Sequence, residues 1–198
     1  MKDKLAIISW NVRSLGKREK HKAVQRLVSS TYPSFLWLQE TKAEKIQRSF
    51  MRRNGLNIFQ GVIESPTIGS SGGLLCCWDD NVFEMENHNI NRRFIVVVGK
   101  FRLNQFRSVL INVYGPSVEE EKESFLKNLV CSFLDRMSVC VGGGFNVYLC
   151  EDEKVGRAQN RFSMRIFSQF IQASGLINLP LNEGRFTWCN NQDDPTFC

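Results

Sequence analysis

Polar side chains that could bind a metal ion or a phosphate follow four apolar runs in this chain. Glu40 supplies a carboxylate and Tyr114 a hydroxyl, while Asn11 and Asn146 supply amides that both donate and accept hydrogen bonds. Mg²⁺ prefers one or two carboxylates and keeps several waters, which a single carboxylate such as Glu40 suits. The Tyr114 hydroxyl could donate to a phosphate oxygen. These residue types could form a site for a cation and a phosphate.

Each of these residues also has a purely structural interpretation. A carboxylate is favoured at the start of a helix, so Glu40 could be either a metal ligand or a helix terminus. Asn11 and Asn146 could be ordinary turn residues that follow strands. Tyr114 could cap the core before Gly115-Pro116. The local sequence leaves these alternatives open.

The elements that must position these residues alternate between strands and helices. Short apolar or β-branched runs predict strands, and apolar residues at helical spacing predict helices. The predicted strands are 5–8, 34–38, 58–62, 74–78, a hairpin of 94–103 with 106–113, a central strand from 139 into the glycines at 142–144, and 185–188. The predicted helices are 17–30, 41–54, one that begins at a Ser117/Glu120 capping box, and 163–174, with a surface loop at 64–73. We therefore expect one mixed α/β domain over residues 1–198, with two packed sheets covered by helices.

Four ordered motifs give the chain a family resemblance. They are SWNVR at 9–13, LQETK at 38–42, INVYGP at 111–116 and GGFN at 143–146. In this order and spacing the chain resembles the endonuclease/exonuclease/phosphatase family, and within it the apurinic-type endonuclease domain of plant LINE-type (non-LTR) retrotransposons. Three further segments resemble that branch, namely SGGLL at 71–75, LINLPL at 176–181 and FTW at 186–188.

The resemblance implies a fold and a set of roles. The fold is a four-layer α/β sandwich of two mixed sheets flanked by helices, with the site at one edge of the sheets. The activity is Mg²⁺-dependent hydrolysis of DNA phosphodiesters. Glu40 and Asn11 would hold the Mg²⁺, Tyr114 and Asn146 would bind the phosphate, and Asn146, Tyr114 and Asn11 would be the catalytic residues.

Two departures from the family pattern predict impaired catalysis. Gly144 occupies the position of an aspartate that assists proton transfer, and losing such a group typically costs ~10²–10⁴-fold in rate. The family also has a later Asp and then an Asp-His pair, whereas nothing follows Cys198 here, and both His21 and His88 come too early. We expect a domain without its C-terminal strands, with weak or no activity.

Composition narrows the class of protein. The net charge is +6 with a pI near 9.0, which agrees with a polyanionic partner such as the DNA backbone. Seven cysteines, an odd number with no CxxC pair, predict reduced core thiols in an intracellular protein and argue against a disulfide framework or a zinc site. No signal peptide or membrane-spanning run is present, so we expect an intracellular, nuclear location without membrane association. Nothing in the sequence predicts a small-molecule cofactor or an oligomeric state.

Three functions compete at this point. The first is a Mg²⁺-dependent DNA endonuclease, and the second is a non-catalytic remnant that binds nucleic acid. The third is a phosphatase or phosphodiesterase with a small substrate. The 71–75 and 186–188 segments favour the retrotransposon branch over the third function.

Overall fold

The described residues form two four-stranded sheets. The computed structural model describes residues 5–68, 71–132, 137–155, 160–181 and 186–187. Its strands are β1 (Ile7–Asn11), β2 (Phe35–Gln39), β3 (Gly61–Ile68), β4 (Ser71–Trp78), β5 (Phe83–Ile90), β6 (Phe94–Phe101), β7 (Arg107–Tyr114) and β8 (Ser138–Gly144). Its α-helices are α1 (Arg18–Thr31), α2 (Arg48–Arg53), α3 (Glu119–Val130) and α4 (Arg161–Ala173), and a 3-10 turn covers Glu151–Glu153.

Both sheets mix parallel and antiparallel pairs. The first has the order β1-β2-β4-β3, and the second has the order β5-β6-β7-β8. Within them, β1 pairs with β2 in parallel and β7 pairs with β8 in parallel, while the other neighbours are antiparallel. The predicted architecture, an α/β sandwich of two mixed sheets with flanking helices, is confirmed.

Strand β2 shows why an uninterrupted apolar run was needed. Successive side chains of a strand point to opposite faces, and a strand that is covered on both faces is mostly apolar, as β2 is up to its last residue, Gln39. Phe35 and Trp37 pack in the core between the two sheets. Leu36 and Leu38 pack on the other face, in a cluster that includes Val24 of α1. All five residues of β2 are buried, so its last residues are held rigidly.

The chain divides into two compact units. The first contains residues 1–114 and 133–144, which include both sheets, α1 and α2. The second contains residues 115–132 and 145–198, which include α3 and α4. An aromatic cluster, in which the rings of Phe145 and Phe167 lie 4.9 Å apart, forms part of the second unit's core. The prediction of one domain over the whole chain stays a prediction.

The helix predicted over 41–54 is wrong in its first half. Only Arg48–Arg53 is helical. Lys42 has a left-handed φ of 51°, which does not fit a right-handed helix. The backbone N–H groups of Thr41 and Lys42 donate to the carbonyls of Gly73 and Gly72 over 3.1 and 3.2 Å. These tertiary hydrogen bonds hold the segment in a non-helical conformation.

The surface loop predicted over 64–73 is also wrong in most of its length. Strand β3 continues to Ile68 and β4 begins at Ser71. β3 is an edge strand, where a residue such as Pro66 without an N–H group is tolerated. Strand β5 was not predicted at all, because only its first residue, Phe83, is buried and the rest of its sequence is polar.

Two smaller predictions fail as well. Helix α3 has Val118 at its N-cap with no side-chain cap, so the predicted capping box is wrong.

Five cysteines lie among the described residues and all are free thiols, as predicted. Only Cys76 and Cys77 are buried, and the other three, Cys131, Cys140 and Cys150, are exposed, so the core interpretation fails for them. The ends of the strand predicted at 185–188 lie outside the described residues.

Candidate functional site

Two parallel strands bring Asn11 and Glu40 together. Asn11 is the last residue of β1 and is in register with Gln39, the last residue of β2, so Glu40 follows at the same edge of the sheet. Parallel strands end at a common edge, which is why side chains 29 residues apart can meet here. The amide of Asn11 donates from Nδ2 to Oε1 of Glu40 over 2.7 Å. The carboxylate is therefore held by a charge-assisted hydrogen bond.

Tyr114 joins this pair from the second sheet. It is the last residue of β7, and its hydroxyl lies near enough to the Glu40 carboxylate for the charge of Glu40 to act on it. Partial burial of the phenol raises the pKa of Tyr114 most, and the charge and hydrogen bonding of Glu40 raise it further, to about 12. The charge of Arg93 acts in the opposite direction. The phenol therefore keeps its proton at neutral pH and remains a hydrogen-bond donor.

The backbone around this cluster adopts left-handed conformations that residues with a side chain rarely take. Glu40 has a φ of 53°, Arg13 a φ of 50° and Ser14 a φ of 97°. Such conformations cost about 1–3 kcal/mol each and persist only where neighbouring structure enforces them. Here Ser14 N donates to Glu40 O over 2.6 Å, which ties the loop after β1 to the loop after β2. The strain coincides with the Asn11–Glu40–Tyr114 cluster.

Gly73, in the glycine pair at 72–73, allows a close approach to the loop that carries Glu40. It has a φ of 88°, and a Cβ there would overlap the hydroxyl oxygen of Thr41 and lie 3.1 Å from Lys42 N. Glycine is the residue that accepts both constraints. The start of β4 is thereby able to hold the segment after Glu40 through the backbone hydrogen bonds described above.

Two adjacent glycines at the end of β8 have different reasons to be there. Gly143 has a φ of 131°, and a Cβ would overlap the carbonyl oxygen of Val113 and lie 2.9 Å from its nitrogen. Gly144 pairs with Tyr114 in the β7–β8 register, and a Cβ there would meet no atom within 4 Å. Gly143 is thus required by the fold, whereas Gly144 leaves open space beside the cluster.

No family model and no curated protein matches the sequence, so the comparison with known proteins rests on the fold. An AP endonuclease from Archaeoglobus fulgidus superposes with a TM-score of 0.67 at 18% identity, over 86% of this chain and 71% of that one. The AP endonuclease LMAP from Leishmania major superposes with a TM-score of 0.65 at 13% identity, over 86% and 66%. The chain has the endonuclease/exonuclease/phosphatase fold. The 3′ phosphatase NExo from Neisseria, solved bound to a product DNA hairpin, agrees with a TM-score of 0.64 at 18% identity, over 85% and 71%.

The chain thus spans about 66–71% of the length of these solved proteins. Identities of this size establish the endonuclease/exonuclease/phosphatase fold and leave the activity to the site itself. Among the described residues no helix is long and apolar enough to cross a membrane.

A polar network beneath this edge of the fold, buried at Gln39 and Asn112 and exposed at Ser9, was missed by sequence reasoning. Gln39 Nε2 donates to Asn112 Oδ1 over 2.6 Å and to Ser9 Oγ over 3.0 Å. Gln39 is 1% exposed and Asn112 is fully buried. Both residues lie inside motifs that carry the family resemblance; Asn112 interrupts an apolar run and Gln39 ends one. An uncharged polar residue within a buried strand was the signal that could have found them.

Asn146 lies in the second unit. It has a φ of 55°, and its Nδ2 donates to the backbone carbonyl of Gly115 over 2.7 Å. Both residues belong to that unit, whereas Asn11, Glu40 and Tyr114 belong to the first. The predicted role of Asn146 toward water or phosphate stays a prediction.

The residues at this edge fit a magnesium ion with one protein carboxylate. No group of three or more His, Cys, Asp or Glu side chains that could hold a metal occurs among the described residues. Mg²⁺ does not need such a cage, because it keeps several waters and uses one or two carboxylates with substrate phosphate. Glu40 can fill that role. Both ends of the Asn11 amide are engaged, since its Oδ1 accepts Arg13 N over 3.1 Å, so the structure shows Asn11 orienting Glu40, and its ligand role stays a prediction.

Proposed function

We propose that this protein is a magnesium-dependent hydrolase of DNA phosphodiester bonds. One observation carries the proposal, namely the meeting of Asn11, Glu40 and Tyr114 at the carboxyl ends of strands from both sheets. A single carboxylate that accepts a hydrogen bond from an amide and lies near a phenol, in strained backbone, is more than the turn and helix-end alternatives require. The two sheets of the endonuclease/exonuclease/phosphatase fold supply the scaffold.

The roles of the chain's own residues follow from their hydrogen bonds. Bound at Glu40, Mg²⁺ would polarise a phosphoryl oxygen and neutralise developing charge. Asn11 orients the Glu40 carboxylate through its Nδ2 hydrogen bond. Tyr114, protonated at neutral pH, can donate its hydroxyl hydrogen to a phosphate oxygen when substrate is present. We assign the Asn146 amide to water or phosphate on the basis of the family resemblance.

DNA is the proposed substrate for two reasons. The chain carries a net charge of +6, which suits a polyanion whose binding rests mainly on phosphate contacts. The Neisseria protein with this fold was solved with a DNA product. The motif pattern additionally supports an origin in a LINE-type retrotransposon, which stays a prediction.

Gly144 supports the further proposal that turnover is impaired. Its position pairs with Tyr114 and offers no proton-transfer group. The absence of a general acid or base typically lowers a rate by ~10²–10⁴-fold. The same observation favours a second candidate function, a nucleic-acid-binding protein without turnover.

A plasmid assay separates the candidates. Supercoiled DNA is incubated with wild type, Glu40→Gln and Glu44→Gln, each with and without Mg²⁺, and Mg²⁺ affinity is measured by titration. Glu44 lies exposed in the same loop, so its substitution removes the same charge away from the cluster. We expect slow Mg²⁺-dependent nicking by wild type and Glu44→Gln, and loss of both nicking and Mg²⁺ affinity in Glu40→Gln. Equal Mg²⁺ affinity in all three proteins would refute the role of Glu40. Salt-sensitive DNA binding without any nicking would favour the second candidate.

A further inference from the structure

The polar network beneath the site, which is buried at Gln39 and Asn112 and exposed at Ser9, spans all three strands that carry the cluster. Ser9 lies on β1 two residues before Asn11, Gln39 on β2 immediately precedes Glu40, and Asn112 lies on β7 two residues before Tyr114. Gln39 is the common partner, since its Nε2 donates both to Ser9 Oγ and to Asn112 Oδ1. A single side chain therefore links the three strand ends just below the cluster.

The orientation of Asn112 is determined by its other partners. Its Nδ2 donates to the backbone carbonyls of Leu75 and Leu38 over 3.2 and 3.4 Å. Two carbonyl acceptors require the nitrogen on that side, which leaves Oδ1 to accept from Gln39. Because both amides are buried, each would destabilise the fold if its hydrogen bonds were lost.

This network does something that the surrounding apolar core cannot do. Apolar burial is non-directional, so it holds two packed sheets together without setting how far one strand extends past another. Hydrogen bonds of 2.6–3.0 Å are directional and depend on separation. The Gln39–Asn112 bond joins residues 73 apart in sequence and on different sheets. It therefore lies where it can fix the end of β7 against the end of β2.

We propose that Gln39 and Asn112 are positioning residues, which hold the end of β7 that carries Tyr114 beside the end of β2 that precedes Glu40. The proposal deepens the proposed function and rests on it for its catalytic meaning. The juxtaposition itself is a property of the metal-free protein, so it can be tested without substrate.

The test replaces the tyrosines by 3-fluorotyrosine and records ¹⁹F spectra of the metal-free protein. The chain has three tyrosines, so the Tyr114 signal is assigned by its loss in Tyr114→Phe. Glu40→Gln defines the shift that follows from loss of the carboxylate charge. The test variants are Asn112→Leu, which removes the acceptor of Gln39, and Ser9→Ala, which removes its second acceptor. Val97→Ala in the inter-sheet core is the matched control, since it loses apolar contacts and no hydrogen bond.

We expect the Tyr114 signal to move toward its Glu40→Gln position in Asn112→Leu and by a smaller amount in Ser9→Ala, while Val97→Ala leaves it unchanged. Affinity for Mn²⁺ should fall by ~10–100-fold in Asn112→Leu, as for residues that orient metal ligands. An unchanged Tyr114 signal in Asn112→Leu, or an equal displacement in Val97→Ala, would overturn the proposal. If Asn112→Leu does not fold, Ser9→Ala decides by the same criterion. Absence of metal binding and nicking in wild type would refute the proposed function, and the ¹⁹F result would still stand.

Discussion

Substituting the two neighbouring glycines at the end of β8 should have very different effects on stability. At Gly143, any side chain must adopt a φ of 131°, which costs about 1–3 kcal/mol. Its Cβ would also overlap the carbonyl oxygen of Val113, and relieving such overpacking costs about 1–3 kcal/mol more. Gly143→Ala should therefore lower the free energy of unfolding by about 2–6 kcal/mol, a large part of the ~5–15 kcal/mol typical of a domain.

At Gly144 the same reasoning predicts only a small change in the free energy of unfolding. A Cβ meets nothing within 4 Å and the backbone is not left-handed, so neither penalty applies. Replacing glycine restricts the unfolded chain and stabilises by about 0.4–1 kcal/mol. The low strand preference of aspartate opposes this by a similar amount, up to ~1 kcal/mol. Gly144→Asp should therefore stay within about 1 kcal/mol of wild type.

Urea unfolding followed by tryptophan fluorescence measures both changes. Gly144→Asn is the matched control, because it has the shape of aspartate without the charge and so isolates repulsion from Glu40. That repulsion should weaken as salt is raised. If Gly144→Asp lost as much stability as Gly143→Ala, or if Gly143→Ala were neutral, the account of this strand end would be refuted.

Three further predictions concern ionisable groups. Glu119→Ala should lower the free energy of unfolding by about 1–3 kcal/mol, because the Lys122 ammonium, which is 3% exposed and 2.6 Å from Glu119, loses its partner. Glu123→Ala, which breaks an exposed ion pair, should lower it by at most about 0.5 kcal/mol. The pKa of Tyr114 is raised to about 12 in the folded protein, so the stability that the protonated phenol contributes is complete below pH 10 and is lost as the pH rises toward 12. The Tyr114→Phe protein should therefore lose less stability than wild type over that range. Burial raises the pKa of Cys76 to about 12 and that of Cys77 well above its ordinary value, so iodoacetamide at pH 8 should modify the exposed thiols Cys131 and Cys150 before Cys76 and Cys77.

Each of these has a clear contrary result. Equal unfolding free energies for Glu119→Ala and Glu123→Ala, measured by urea denaturation, would show that the buried ammonium needs no partner. For Tyr114, stability curves of wild type and Tyr114→Phe that run parallel between pH 10 and 12 would contradict the raised pKa. Peptide mapping by mass spectrometry that found Cys76 modified as fast as Cys131 in the folded protein would contradict the burial of the 76–77 pair.

Local sequence was sufficient for the elements that bear the site. β2, β7 and β8 were predicted because apolar and β-branched residues in short runs report burial directly. The polar residues that end those runs, including Glu40 and Tyr114, could be picked out for the same reason. Parallel pairing of βαβ-type strands then predicts a shared edge, so the neighbourhood of Asn11 and Glu40 was within reach of sequence reasoning.

Tertiary structure decided how those residues meet. Segment 41–47 has helical spacing in its sequence, yet backbone bonds to Gly72 and Gly73 override that weak preference. The left-handed φ of Glu40 is unfavourable for its residue type and exists because the loop after β1 is bonded to it. The Gln39–Asn112 bond spans 73 residues and two sheets. No local pattern encodes such a contact, because its free energy arises only after the two sheets have packed and buried both amides.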